Sequence, residues 1–173
     1  MAVERHRPIL QVVGFQNSGK TTLAEKLIKT GIELGLDVAT IKHHGHNTPQ
    51  KPEAGLKDSE RHRQAGAAIT AVEGGGSLQL HIQNQSWSLD GILALYEQFS
   101  PDLIVVEGYK KAPYPKLVLL RGEEDLELVQ ELTNVRAVIT WQRLQLGPKP
   151  YPVFSLEEAD RQLASFIHFV LPT

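Results

Sequence analysis

The chain has no cysteine at any of its 173 positions. That absence excludes disulfides, iron–sulfur clusters, thiolate zinc sites and a cysteine nucleophile. Long apolar runs are missing as well: nothing approaches the roughly 20 residues needed to cross a bilayer. The N-terminal MAVERHRP is charged and has no apolar stretch behind it, so no signal peptide is expected and a cytoplasmic setting is the default. Nor is there an excess of charge of one sign, because 18 Lys and Arg stand against 20 Asp and Glu for a formal net charge of −2. Such a balance gives no general attraction to nucleic acid or to an anionic membrane, so any anion affinity must come from a local arrangement. What remains is an ordinary globular composition, 41% hydrophobic and 22% charged. The length suits one full domain and is short for two.

Ile9-Leu10-Gln11-Val12-Val13 is an apolar run stopped by Gly14, as expected of a buried strand. From Lys20 the pattern turns helical, with Leu23, Leu27, Ile28 and Leu34 on one face and Gly35 at the end. Val38 to Ile41 reads as the next strand, which makes a βαβ unit with parallel strands. HNTPQKPEAG reads as loop, Leu56 to Ala65 as a short charged helix, and Ala68 to Val72 as a strand. After Gly74-Gly75-Gly76, Leu78 to Ile82 alternates apolar and polar residues, the pattern of a half-exposed antiparallel strand. Ser88 opens a helix carrying Ile92, Leu93, Leu95, Tyr96 and Phe99, closed by Pro101. Further strands are expected at Leu103–Val106, Leu117–Leu120 and Val135–Thr140, the last two flanking the acidic GEEDLELVQEL. Ser155 and Glu158 have capping-box spacing at the start of a final helix running to Val170.

Between the first strand and first helix lies Gly14-Phe15-Gln16-Asn17-Ser18-Gly19-Lys20-Thr21, a full match to G-x-x-x-x-G-K-[ST]. Each fixed position has a physical task. The glycines allow a tight turn and let backbone N–H groups approach phosphate oxygens without a Cβ in the way. The helix N-terminus adds unpaired donors and the positive end of its dipole. Lys20 is positioned to reach the β- and γ-phosphates, and the Thr21 hydroxyl to ligate Mg²⁺. Gly14, Gln16 to Thr21 and the following Thr22 are therefore the expected nucleotide-binding residues. The expected fold is α/β, a three-layer P-loop NTPase whose mostly parallel sheet carries one or more antiparallel strands, with residues 1–173 forming one nucleotide-binding domain.

LIVVEGYK places Glu107 at the end of a buried strand, where an acidic residue can touch the Mg²⁺ shell, and Gly108 beside a γ-phosphate. Against this stands a strand-end carboxylate that is merely solvated. On the charged helix, Asp58 can hold Mg²⁺ or orient a water, and Arg61 and Arg63 can bind phosphate. A solvated helix face explains the same three residues equally well. IKHHGHN packs three of the seven histidines into four positions after the second strand, at the sheet edge where ligands bind. His43 and His44 point to opposite sides of an extended chain, and only His44 and His46 share a face. A metal site, a structural loop, and a loop presenting Lys42, His43, His44 and His46 to an anion or cofactor all remain open, the last being favoured.

With the P-loop, IKHHGH, DSERHRQAGA and LIVVEGYK in this order, the chain resembles the molybdopterin-guanine dinucleotide biosynthesis protein B family from Ile9 to about Val138. The resemblance implies a GTP-binding homodimer with slow GTPase activity that assists the guanylyltransferase joining GMP to molybdopterin. It implies nucleotide or Mg²⁺ roles for Lys20, Thr21, Asp58 and Glu107, the candidate catalytic set being Lys20, Asp58 and Glu107. It places Lys42, His43, His44, His46 and Lys110 in the family's motifs without fixing their roles; molybdopterin is the further ligand it suggests. One departure concerns the base: Trp141-Gln142 stands where the family pattern often has an aspartate able to read guanine. The competing readings are a nickel-type metal-insertion GTPase, which commonly recruits cysteine, and a small-molecule kinase, which needs a mobile lid and a second substrate motif.

Overall fold

Four short apolar segments, Ile9–Gly14, Leu103–Glu107, Lys116–Leu120 and Val135–Thr140, are buried along all or most of their length and become the central strands of a six-stranded parallel sheet. The computed structural model describes residues 8–44, 57–84, 86–144, 147–148 and 150–171. In chain order the elements are β1 (Ile9–Gly14), α1 (Lys20–Glu33), β2 (Val38–Lys42), α2 (Lys57–Gln64), β3 (Ile69–Gly74) and β4 (Ser77–Ile82). They continue with α3 (Leu89–Tyr96), β5 (Leu103–Glu107), β6 (Lys116–Leu120), α4 (Leu126–Glu131), β7 (Val135–Thr140), β8 (Val153–Ser155), α5 (Leu156–Arg161) and α6 (Leu163–His168). The chain divides into two units, residues 1–45 with 94–173, and residues 46–93.

In the first unit the strand order is β2-β5-β1-β6-β7-β8, and every pairing is parallel. Alternate residues of the central strands serve two cores. Leu10, Val12, Leu103, Val105, Leu117, Leu119, Ala137 and Ile139 pack with Leu23 and Leu27 of α1, Ala159 of α5 and Phe166 and Ile167 of α6. Val13, Val118, Leu120 and Val138 turn the other way and meet Leu128 of α4. Helices thus cover both faces, which is why the strands read as continuous apolar runs. α1 ends in a Schellman motif: Leu36 N–H donates to Gly31 O at 3.0 Å and Gly35 N–H to Ile32 O at 2.9 Å. Gly35 takes the left-handed φ of +79° that this motif requires.

In the second unit β3 and β4 pair antiparallel, from Ile69 opposite Ile82 to Gly74 opposite Ser77. Ser88 Oγ caps α3 by accepting from Gly91 N–H at 3.0 Å. The antiparallel strands expected on the main sheet therefore stand as a separate two-stranded sheet. Three further differences have local causes. β8 is only three residues long and lacks a periodic pattern, yet its pairing to β7 makes it part of the sheet. The acidic segment after β6 is helical, because Leu126, Leu128 and Val129 pack into the second core. The last helix is two, broken at Gln162 (φ −108°), so that Ala159 before the break and Phe166 after it reach the same core. Phe99, expected on α3, lies past its end and is 74% exposed, and Leu34 sits on the cap of α1 rather than in the core. Among the described residues no helix is long and apolar enough to cross a membrane.

Two buried polar side chains interrupt the apolar strands, and both bind the same connection, the loop between β5 and β6. Gln11 of β1 donates through Nε2 to Gly108 O at 2.9 Å and Tyr109 O at 3.0 Å. Lys116 of β6, wholly buried, donates through Nζ to Tyr114 O at 2.9 Å and to Ala112 O. Burial pulls the Lys116 ammonium down from its ordinary 10.5 to about 8. The folded chain thus releases this proton near pH 8, whereas the unfolded chain holds it until about 10.5. In that window the unfolded state binds more protons, so this lysine makes stability rise with pH, by at most about 1.4 kcal/mol per pH unit. Urea unfolding of the wild type and Lys116→Met should therefore show the wild type gaining on the variant between pH 8 and 10. Curves that stay parallel across that range would refute it.

Candidate functional site

The turn after β1 is shaped by sterics. A Cβ on Gly14 would lie 2.4 Å from Ser18 Oγ and 2.9 Å from Leu119 O, so only glycine fits. Asn17 and Gly19 both adopt left-handed φ, +60° and +90°. Ser18 is fully buried, while Gln16 and Asn17 are exposed. Gly19 is the N-cap of α1, no side chain caps that end, and its first turn has no acidic residue. The amides there are left for an external anion. Lys20 Nζ folds over the turn and donates to Phe15 O at 2.6 Å. Burial lowers the Lys20 pKa; Glu107 opposes the shift, and Lys110, Lys42 and Arg121 add to it.

Parallel pairing brings two more side chains to this edge. Glu107, at the end of β5, is opposite Val12 of β1 on one side and Lys42 of β2 on the other. Its two carboxylate oxygens both lie 3.1 Å from Thr21 Oγ1. Lys42 Nζ donates to Thr21 Oγ1 at 3.0 Å and lies 3.2 Å from Glu107 Oε2. The hydroxyl and the carboxylate are hard oxygen donors of the kind Mg²⁺ takes, and a cationic group already sits against both. The arrangement can hold a divalent cation next to a phosphate chain. It fits that use better than a solvated strand end, since Glu107 is 9% exposed and fully engaged.

The loop after Glu107 closes the same edge. Gly108 (φ +97°) donates its N–H to Val12 O at 3.0 Å, and a Cβ there would come 3.0 Å from that of His43. His43 extends the β2–β5 pairing with an N–H to Glu107 O at 2.9 Å, and its ring stacks on Tyr109 with centroids 4.4 Å apart. Lys110 Nζ sits 4.1 Å from the centre of the Phe15 ring, a cation–π contact that ties this loop to the phosphate turn. His44 is exposed, and His46 lies outside the described residues. Among the described residues no three His, Asp or Glu come together as metal ligands.

Lys20, Thr21, Lys42, His43, Glu107, Gly108 and Lys110 thus converge. Asp58, Arg61 and Arg63 belong to the second unit, where they pair along α2. Asp58 and Arg61 are 92% and 81% exposed at 4.0 Å, a pairing of small energetic value. Arg63 pairs with Glu60. Three contributors to the site escaped sequence reading. Gln11 stands out as a polar residue within an apolar strand run and Lys116 as a charged residue at the head of one, which was the available signal. Trp141 donates its Nε1–H to Ser18 O at 3.0 Å and so supports the turn from β7; no pattern in the sequence marks that contact.

Comparisons with known proteins identify relatives of the chain and of its fold. The family model described as molybdopterin guanine dinucleotide synthesis protein B matches residues 9–141. The probable molybdopterin-guanine dinucleotide biosynthesis adapter protein of Bacillus subtilis (strain 168) is 42% identical over 158 residues, 91% of each chain. The corresponding adapter protein of Haemophilus influenzae is 35% identical over 134 residues, 77% of this chain and 74% of that one. Among solved structures, the crystal structure of a MobB protein homolog from Bacillus stearothermophilus superposes with a TM-score of 0.77 at 43% identity, over 94% of this chain and 97% of that one.

The steric reading of the turn is checked by Gly14→Ala against Gly74→Ala. The first forces a Cβ onto backbone and should cost about 1–3 kcal/mol. The second meets nothing within 4 Å and should be close to neutral. Thermal unfolding of the two variants measures the contrast, and equal melting temperatures would refute it.

Proposed function

The chain belongs to the molybdopterin guanine dinucleotide synthesis protein B family, and from that premise we propose that it is a GTP-binding adapter of molybdenum cofactor biosynthesis. It assists the step in which GMP is joined to molybdopterin. The observation that carries this reading is the convergence of Lys20, Thr21 and Glu107 at the C-terminal edge of β1 and β5, with Thr21 Oγ1 3.1 Å from the Glu107 carboxylate.

In this reading the turn from Gly14 to Thr22 binds the triphosphate. Its backbone amides and the open end of α1 meet the phosphate oxygens, and Lys20 leaves Phe15 O for the β- and γ-phosphates. Thr21 and Glu107 are the residues that hold Mg²⁺, which when bound neutralises charge on the β- and γ-phosphates. Lys42 adds a second ammonium beside that cluster, and Gly108 offers its backbone to the γ-phosphate side. His43, His44 and Lys110 are the contacts for molybdopterin, and His46, of the same motif, shares that role. Roles for Asp58 in orienting water and for Arg61 and Arg63 in contacting phosphate rest on the family resemblance alone. The protein works as a cytoplasmic homodimer, the whole chain serving as one nucleotide-binding module, with a molybdopterin guanylyltransferase as its protein partner.

Calorimetry with Mg²⁺–GTP should give a defined affinity that Lys20→Ala weakens by about tenfold or more, the worth of a hydrogen bond to a charged group. ATP binding well with GTP not binding at all would sink the guanine assignment. A pull-down from a cell extract with GTP should recover a molybdopterin guanylyltransferase, and its repeated absence would count against the adapter role.

A further inference from the structure

A nucleotide held at the phosphate turn needs a surface for its base as well as for its phosphates. The strand order says where to look. Glu107 and Lys42 end β5 and β2, on one side of β1, and draw the cation and the terminal phosphates to that side. The nucleoside end of the ligand then leaves the turn toward β6, β7 and β8. A cleft of about 170 Å³ opens there, lined by Gly19 and Thr22 of the phosphate turn together with Leu23, Trp141, Leu156 and Ala159. Trp141 follows β7 and Leu156 follows β8, so the parallel sheet presents both at the same edge as the turn.

The indole is exposed yet fixed. Trp141 is 51% exposed and Leu156 43%, and the two offer apolar surface to the same cleft. The bond from Trp141 Nε1–H to Ser18 O at 3.0 Å sets the ring's orientation, and Trp141 N–H to Leu120 O at 3.0 Å sets its backbone. The ring edge stands 3.8 Å from where a Cβ of Gly19 would be, so it abuts the turn itself. The charged groups lining the cleft are paired with each other, Lys26 Nζ to Asp160 at 2.6 Å. A flat, rigid aromatic face beside a phosphate-binding turn suits a ring system with a π-face.

We infer that Trp141 is the nucleobase platform of this protein: the base of the bound nucleotide lies in the cleft between β7 and α5 and stacks on the indole, with Leu156 closing the other side. The inference rests on the nucleotide-binding reading above, and two probes separate the two. Calorimetry is run with Mg²⁺–GTP and with Mg²⁺–tripolyphosphate, which has the phosphates and no base. Trp141→Ala should weaken GTP about 5- to 150-fold more than it weakens tripolyphosphate, the usual effect of removing a stacking aromatic; the loss shared by both ligands is the part due to the bond with Ser18 O. Trp141→Phe, which keeps a π-face but cannot donate to Ser18 O, should recover most of the GTP affinity. Equal GTP affinity in wild type and Trp141→Ala would overturn the inference, as would an equal loss of both ligands, which makes the residue a support for the turn alone. A wild type that binds neither ligand overturns the nucleotide-binding reading itself. In a Trp87→Phe background, which needs no change at position 141, GTP should quench the remaining indole fluorescence and tripolyphosphate should not; equal responses to both would also overturn the inference.

Discussion

Val12 and Glu107 face each other across the β1–β5 pairing, and Gly108 N–H locks the register to Val12 O. Most of the site follows from that one alignment. Because β1 and β5 run parallel, they end at the same edge of the sheet, and a carboxylate at the end of one meets the first helical turn after the other. A register shift of one residue would turn Glu107 to the opposite face and leave Thr21 and Lys42 facing apolar side chains. Antiparallel strands would have put the two ends at opposite edges. The cluster of Thr21, Lys42 and Glu107 is thus a product of sheet direction more than of any local preference.

Charge at this edge is lopsided in a way the whole chain is not. The formal net charge is −2, yet Lys42, Lys110 and Arg121 all act on Lys20, with Glu107 as the carboxylate that opposes them there. Crowding them costs something, and burial with neighbouring cations together holds the Lys20 ammonium below its ordinary pKa. Such an arrangement makes sense for a site whose working partner is a polyanion, which relieves the repulsion when it arrives. Phe15 contributes by giving Lys110 an aromatic face to rest on, beside the attraction of Asp125.

Much of this was legible in the sequence. The phosphate turn could be read from Gly14, Gly19, Lys20 and Thr21 because each residue type meets a local steric or chemical demand. Glu107 could be read because four apolar residues before it announced a buried strand. The capping box of Ser155 and Glu158 was likewise local, and both of its hydrogen bonds are present. What escaped depends on partners distant in the chain. β8 exists only because β7 offers an open edge. α4 exists because its leucines find the second core. Gln11 passed as part of an apolar run and Lys116 lay just outside the expected strand, and the acceptors that explain both are the carbonyls of Gly108, Tyr109 and Tyr114. Trp141 stood out only as a departure from a family pattern, and nothing at that position pointed to Ser18.

The clamp formed by Gln11 and Lys116 bears on how the chain can change over time. Surface connections usually absorb inserted residues at little entropic cost. The connection between β5 and β6 has no such freedom. Its carbonyls are the acceptors for two donors rooted in adjacent central strands, so lengthening it would leave a buried amide and a buried ammonium with nothing to bond. Insertions and deletions should therefore spare this loop even where substitutions in it are common. Its length, more than its sequence, is what descent has to preserve.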